Sequence, residues 1–198
     1  SFAYTGFDAS AGWCEAIGEI PYCHYRMYGD KRIIRDNLPA LKKLLDYYET
    51  ESPNYFRGYV GRYGDWLSLG TPTDLSVVST LYYARAAWLA WKLCGFIGDF
   101  EAEYYHTLYE NIKKTFREKF IDAEGKILSD TQSAYVIAYS FGLISLEETK
   151  DNLIRKFEQD DDGKLTTDNS VMFTKDLNFH SDGKTAYCPY CKADKVWT

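Results

Sequence analysis

Three short clusters carry the residue types from which a sugar site is built: Gly12-Trp13-Cys14-Glu15, Gly64-Asp65-Trp66 and Ser129-Asp130-Thr131-Gln132. A carboxylate accepts hydrogen bonds from two adjacent hydroxyls, and an aromatic face packs on the C–H patch of a pyranose ring. Glu15 with Trp13, and Asp65 with Trp66, supply that pairing twice; Asp130 and Gln132 add a third polar set. Cleaving a glycosidic bond needs, in addition, two carboxyl groups on either side of the bond. Their separation is about 5–5.5 Å for retention and about 6.5–9.5 Å for inversion. Taken singly, each cluster also has a structural reading, with Asp65 and Asp130 as helix caps, Trp13 and Trp66 as core, and Glu15 with Glu19 as a solvated helix edge. Their shared placement at the start of apolar helical stretches is what points to one pocket for a polyhydroxylated ligand.

Hydrophobic periodicity predicts the helices that must position these clusters, six of them in three pairs, over about 12–28, 31–50, 73–95, 99–120, 130–143 and 145–157. Pro39 is expected to restart the second helix at a first-turn position, Thr73 or Asp74 to cap the third, and Ser145 with Glu148 to form a capping box on the sixth. Helices one, three and five are apolar on most sides and should be buried, whereas two, four and six are amphipathic and should cover them. Short connections make each pair an antiparallel hairpin. The fold class that follows is all-α, with antiparallel hairpins forming about half of an α/α barrel and the inner helices gathering their N-termini at one end. The stretch 52–72, rich in Gly and Tyr, is long for a loop and is a candidate functional segment. After about Gln159 the pattern fails, which divides the chain into a helical domain over 1–167 and an irregular tail over 168–198.

The composition excludes several classes. A net charge of −6 without a basic tract argues against nucleic acid as a partner, and Lys42-Lys43 and Lys113-Lys114 read as solvated helix faces. No apolar run approaches a membrane span. The 18 Tyr and 5 Trp suit both interhelix packing and sugar-facing surfaces. His24, His106 and His180 share no spacing, and Cys188-Pro189-Tyr190-Cys191 is a lone C-x-x-C, so the sequence calls for no metal and no cofactor. The odd count of 5 Cys, three of them in apolar helices, argues against a disulfide framework and favours a reducing, cytoplasmic setting.

In order and spacing these motifs resemble glycoside hydrolase family 78, the bacterial α-L-rhamnosidases. Gly12-Trp13-Cys14-Glu15-Ala16 is similar to that family's G-W-G-D-A, and Ile20-Pro21-Tyr22 to its I-P-W. Tyr28-Gly29-Asp30-Lys31-Arg32-Ile33 is similar to Y-G-D-x-R-I, Gly64-Asp65-Trp66-Leu67 to G-D-W-L, and the segment from Ser129 to Tyr135 to S-D-T-Q-T-A-Y. Leu165-Thr166-Thr167 is similar to L-T-T. The resemblance implies an inverting glycosidase for terminal α-L-rhamnosides, built on a six-hairpin α/α barrel, with sugar-holding roles on Glu15, Tyr22 and Trp66. Glu in place of Asp adds a methylene, and Tyr in place of Trp shrinks the platform. The general acid of the family lies upstream of G-W-G-D-A and its general base on a later inner helix, and this chain contains neither region.

The expectation is therefore a partial barrel that carries a rhamnoside-binding wall of Trp13, Glu15, Tyr22, Asp65, Trp66, Asp130 and Gln132, is inactive alone, and self-associates through uncovered barrel faces. Two rival readings are a helical-hairpin scaffold for protein partners and a non-catalytic carbohydrate-binding module. Against the scaffold, the three pairs differ in loop length and do not echo one another as solenoid repeats do.

Overall fold

The computed structural model describes residues 9–58, 64 and 72–158, with side chains to 154. Asp65, Trp66, the proposed boundary near 167 and the Cys188/Cys191 pair lie outside the described residues. The elements are α1 (Ala16–Tyr28), α2 (Arg32–Glu51), a 3-10 turn (Pro53–Tyr55), α3 (Leu75–Ile97), α4 (Ala102–Phe120), α5 (Gln132–Ser140) and α6 (Leu146–Glu158).

The caps explain most of the boundaries. Gly29, at φ +68°, ends α1, and Gly98, at φ +74°, ends α3, both in the left-handed region. Asp74 begins α3 by accepting the Ser76 N–H at 2.7 Å. On α6 the capping box is closed both ways: Ser145 N–H donates to Glu148 Oε2 at 2.7 Å and Glu148 N–H to Ser145 Oγ at 3.2 Å. Among the boundaries that differ from the periodicity are the starts of α1 and α5. Residues 11–15 form turns, so α1 starts at Ala16, because Gly12 stands at φ +82° and its N–H is taken by the Glu15 carboxylate. Helix α5 is capped by Thr131, whose Oγ1 accepts the Ala134 N–H at 3.2 Å, and not by Asp130. Pro39 does not restart α2, which runs through it unbroken. Pro39 is exposed, so water can replace the hydrogen bond that its missing N–H denies the preceding turn.

Contacts between elements set the layers. Gly18 of α1 faces Leu41 of α2 while Glu15 faces Tyr48, so the pair is antiparallel. Between α1 and α3 the partners rise together, Glu19 with Arg85, Tyr22 with Trp88 and Tyr25 with Phe96. The same holds for α3 and α5, with Thr73 beside Thr131 and Tyr82 beside Phe141. The inner helices α1, α3 and α5 are thus parallel, and their N-termini collect at one end. Helix α3 is the hub, packed against α1, α2, α4 and α5. The amphipathic stripes close on it from outside: Ile34, Leu38, Leu41, Leu45 and Tyr48 from α2, and Tyr105, Leu108, Ile112, Phe116 and Phe120 from α4.

Burial corrects two expectations. Helix α3 is enclosed as its composition requires, but α1 buries only Gly18 and Pro21, and leaves Ile20, Met27 and Tyr28 at 63%, 75% and 73% exposure. Helix α5 likewise exposes Val136 and Tyr139. Among the described residues no element packs over those sides, and an apolar composition does not reveal which flank of a helix has a neighbour. Lys42, expected in solvent, instead turns its ammonium to Asp99 at 2.8 Å and to Glu101, and so ties α2 to the turn between α3 and α4.

Candidate functional site

At the end where the inner helices begin, a cavity of about 250 Å³ is lined by Ala11, Gly12 and Trp13 from the turn before α1, Gly64 and Thr73 from the approach to α3, Val78 and Tyr82 of α3, and Ile137 of α5. It is smaller than sites for drug-sized ligands, about 300–1,000 Å³, and suits one small ring. Gly12-Trp13 of the first cluster and Gly64 of the second line it, while the third cluster touches the lining through Thr131, whose Oγ1 lies 2.7 Å from that of Thr73.

Each wall has a local cause. The left-handed Gly12 lets the chain pass close over α3, where a Cβ would come within 3.3 Å of the Tyr82 ring. Beside that tight passage the Trp13 indole stands partly at the surface, 58% exposed, and lines the cavity. The Ser129 hydroxyl accepts the Asp74 N–H at 2.8 Å, so the starts of α3 and α5 are stitched together below the cavity.

Glu15 does not stand in the cavity. Only 1% exposed, it accepts the Tyr48 hydroxyl on Oε1 at 2.6 Å and the Gly12 N–H on Oε2 at 2.8 Å. Burial pushes its carboxyl above the ordinary value of 4.5, against the pull of the Tyr48 hydrogen bond, the backbone N–H groups and the Arg57 charge. The Tyr48 hydroxyl is pushed up in turn, first by burial and then by the Glu15 charge. Tyr22 lies farther along α1, half-buried, edge-on to Trp88 with ring centroids 5.1 Å apart and stacked on Phe96. Asp130 accepts the Tyr135 hydroxyl at 2.8 Å. Gln132 is 8% exposed, and its Nε2 has no hydrogen-bond partner among the described residues. Trp13 is therefore at the cavity, whereas Glu15, Tyr22, Asp130 and Gln132 are not among the residues that line it.

Sequence reasoning missed Thr73, Tyr82, Tyr48 and Arg57. Tyr82 had a signal, since it stands two turns into the helix that follows the second cluster. Arg57 had only the unusual length of its loop. Among the described residues no group of three or more His, Cys, Asp or Glu side chains converges as a metal site would, and no helix is long and apolar enough to cross a membrane. The arrangement offers an aromatic platform, hydroxyls and backbone polar groups around a small hollow, which suits an uncharged polyol ring.

Residues 3–168 match the family model described as the bacterial alpha-L-rhamnosidase 6 hairpin glycosidase domain. An alpha-L-rhamnosidase of Streptomyces avermitilis is 37% identical over 134 residues, which cover 68% of this chain and 13% of that protein. One from Alteromonas sp. is 29% identical over 152 residues, covering 70% and 16%. The crystal structure of the Streptomyces avermitilis alpha-L-rhamnosidase complexed with L-rhamnose superposes with a TM-score of 0.71 at 34% identity, over 75% of this chain and 14% of that one. The alpha-L-rhamnosidase from Dictyoglumus thermophilum shares the fold at a TM-score of 0.71 and 22% identity, over 82% and 19%. The chain thus spans between an eighth and a fifth of the length of these relatives.

Proposed function

This chain belongs to the bacterial α-L-rhamnosidase six-hairpin glycosidase family, and from that premise we propose that it supplies part of the wall that holds a terminal α-L-rhamnosyl unit for hydrolysis with inversion. The observation that carries this reading is the cavity at the N-terminal end of the inner helices, lined by Gly12 and Trp13 of the first cluster and Gly64 of the second. Trp13, which lines the cavity, provides the platform, and Asp65, Trp66, Asp130 and Gln132 are assigned to the same wall by their place in the family-like motifs. Glu15 and Tyr22 serve the same wall from within the packing. The general acid and base come from regions of the family domain that this chain does not contain.

Titration of the 198-residue chain with L-rhamnose by calorimetry tests the reading. Saturable binding is expected, weakened at least tenfold by Trp13→Ala or Trp66→Ala; absence of saturable binding would favour a scaffold instead. The chain alone is expected to release no rhamnose from an aryl rhamnoside, and measurable release would overturn the assignment of the catalytic pair to other regions.

The exposed flank of α1 supports a second element of the proposal. Ile20, Met27 and Tyr28 form an apolar surface on a helix that the fold places in the inner layer, and we propose that a second copy covers it. Sedimentation equilibrium should show concentration-dependent association of the wild type that Ile20→Glu with Met27→Glu abolishes. A wild type that stays monomeric throughout would refute it.

A further inference from the structure

Both Glu15 and Arg57 are buried, at 1% and 0% exposure. Charged side chains are rarely so enclosed, and replacing such a set with apolar residues often leaves stability unchanged. What this set does have is a direction. Arg57 Nη2 donates to the Ala9 carbonyl at 2.9 Å, and its guanidinium carbon lies 3.8 Å from the centroid of the Tyr48 ring. The Tyr48 hydroxyl holds one Glu15 oxygen, and the other Glu15 oxygen holds the Gly12 N–H. Arg57 is anchored in turn to α3 through its own carbonyl, which accepts the Thr80 hydroxyl at 3.0 Å.

Tied to α3 at one end, the network ends at Ala9 and Gly12 on the short turn that carries Trp13. That turn contains two residues in the left-handed region, Ala9 at φ +56° and Gly12 at φ +82°. A non-glycine residue such as Ala9 keeps that conformation only where its surroundings over-determine it. The network grips the turn at those two residues. Among the described residues Arg57 Nε and Nη1 find no hydrogen-bond partner, so the arrangement is not one that maximises satisfied contacts.

We infer that Arg57, Tyr48 and Glu15 are positioning residues that hold the turn over Tyr82 and thereby fix the Trp13 ring at the mouth of the cavity. The inference rests on the reading of the cavity as the sugar site, but its core claim concerns Trp13 in the free protein and can fail separately. The methylene by which Glu15 exceeds an aspartate is what lets one carboxylate span from Gly12 to Tyr48.

The 198-residue chain labelled with 5-fluorotryptophan gives a fluorine resonance for each of its 5 Trp, and Trp13→Phe identifies the one from Trp13. Tyr48→Phe and Glu15→Asp are expected to shift or broaden the Trp13 resonance in the absence of sugar, with the helical circular dichroism retained. They should also raise the L-rhamnose dissociation constant at least tenfold. Arg57→Lys keeps the charge but not the reach to Ala9, and supplies the same readout if Tyr48→Phe does not fold. An unmoved Trp13 resonance in a folded variant would overturn the inference. A moved resonance in a chain whose wild type binds no rhamnose would uphold the strut and refute the sugar reading.

Discussion

Glu19 and Arg85 are 66 residues apart and form a bidentate pair between α1 and α3, with Arg85 Nη2 2.9 Å from Glu19 Oε2 and its Nε on Oε1. The guanidinium also lies 4.5 Å from the centroid of Trp88 and 5.2 Å from that of Phe141, so it joins all three inner helices. Hydrogen bonds to charged groups are worth about 1.5–3 kcal/mol when buried, and the 32% exposure of Glu19 reduces that by solvent screening. Glu19→Gln should therefore cost about 1 kcal/mol. Arg85→Ala, which also removes the stacking, should cost about 2–3 kcal/mol. Urea unfolding of the two variants checks the difference.

The α6 cap should make stability acid-sensitive. Arg117 and the Ser145 N–H hold the Glu148 carboxyl down at about 2, below its ordinary 4.5. A depressed carboxylate stabilises the fold above the unfolded value and loses that contribution as pH falls from 4.5 towards 2. Because the pair is partly solvated, about 1 kcal/mol is expected. Glu148→Gln should narrow to no difference from wild type near pH 2, as measured by denaturant midpoints across that range.

Glu15 has the opposite sign. Its carboxyl is raised above 4.5, chiefly by burial, so its protonated form is favoured in the fold. Stability from this group is fully present below 4.5 and is lost as pH rises through the folded value. The wild type should consequently lose stability relative to Glu15→Gln over the pH interval that opens above 4.5. A difference between the two that is constant over that interval would refute the assignment.

Gly18 marks the closest packing of α1. A Cβ there would meet Leu41 Cδ2 at 3.0 Å and Leu89 Cδ1 at 3.1 Å. Alanine gains about 1 kcal/mol of helix propensity, but overfilling a packed site costs about 1–3 kcal/mol. Gly18→Ala should be destabilising by up to about 2 kcal/mol, and Gly18→Val by more. Thermal unfolding should show a fall of a few degrees for the first, at about 2–4 °C per kcal/mol for a chain of this size.

The helices, their pairing and several caps were legible in the sequence, because each is written in local patterns. The stripe of Leu41, Leu45 and Tyr48 and the Ser145–Glu148 box need only neighbours a turn away. Tyr22 and Glu15 show where such reading ends. Whether Tyr22 meets a sugar or Trp88, and whether Glu15 faces solvent or Tyr48, depends on partners 33 or more residues distant. Arg57 was invisible for the same reason: a loop without period gives no indication of which side chain turns inward. Uncovered barrel faces were expected, but not that α1 would carry one, because apolar composition reports what a helix would bury, not what is there to bury it.

The parallel alignment of α1, α3 and α5 also has a kinetic consequence. Parallel neighbours cannot be adjacent in the chain, so every bond between inner helices closes a long loop, such as the 58 residues from Thr73 to Thr131 or the 66 from Glu19 to Arg85. The hairpin α3–α4, by contrast, is closed by the few residues after Gly98. Loop-closure entropy favours the near contacts first. Folding should then proceed by hairpins that form early and dock late, with amides at the hairpin cores gaining protection from exchange before the Asp74 N–H, whose partner Ser129 is 55 residues away.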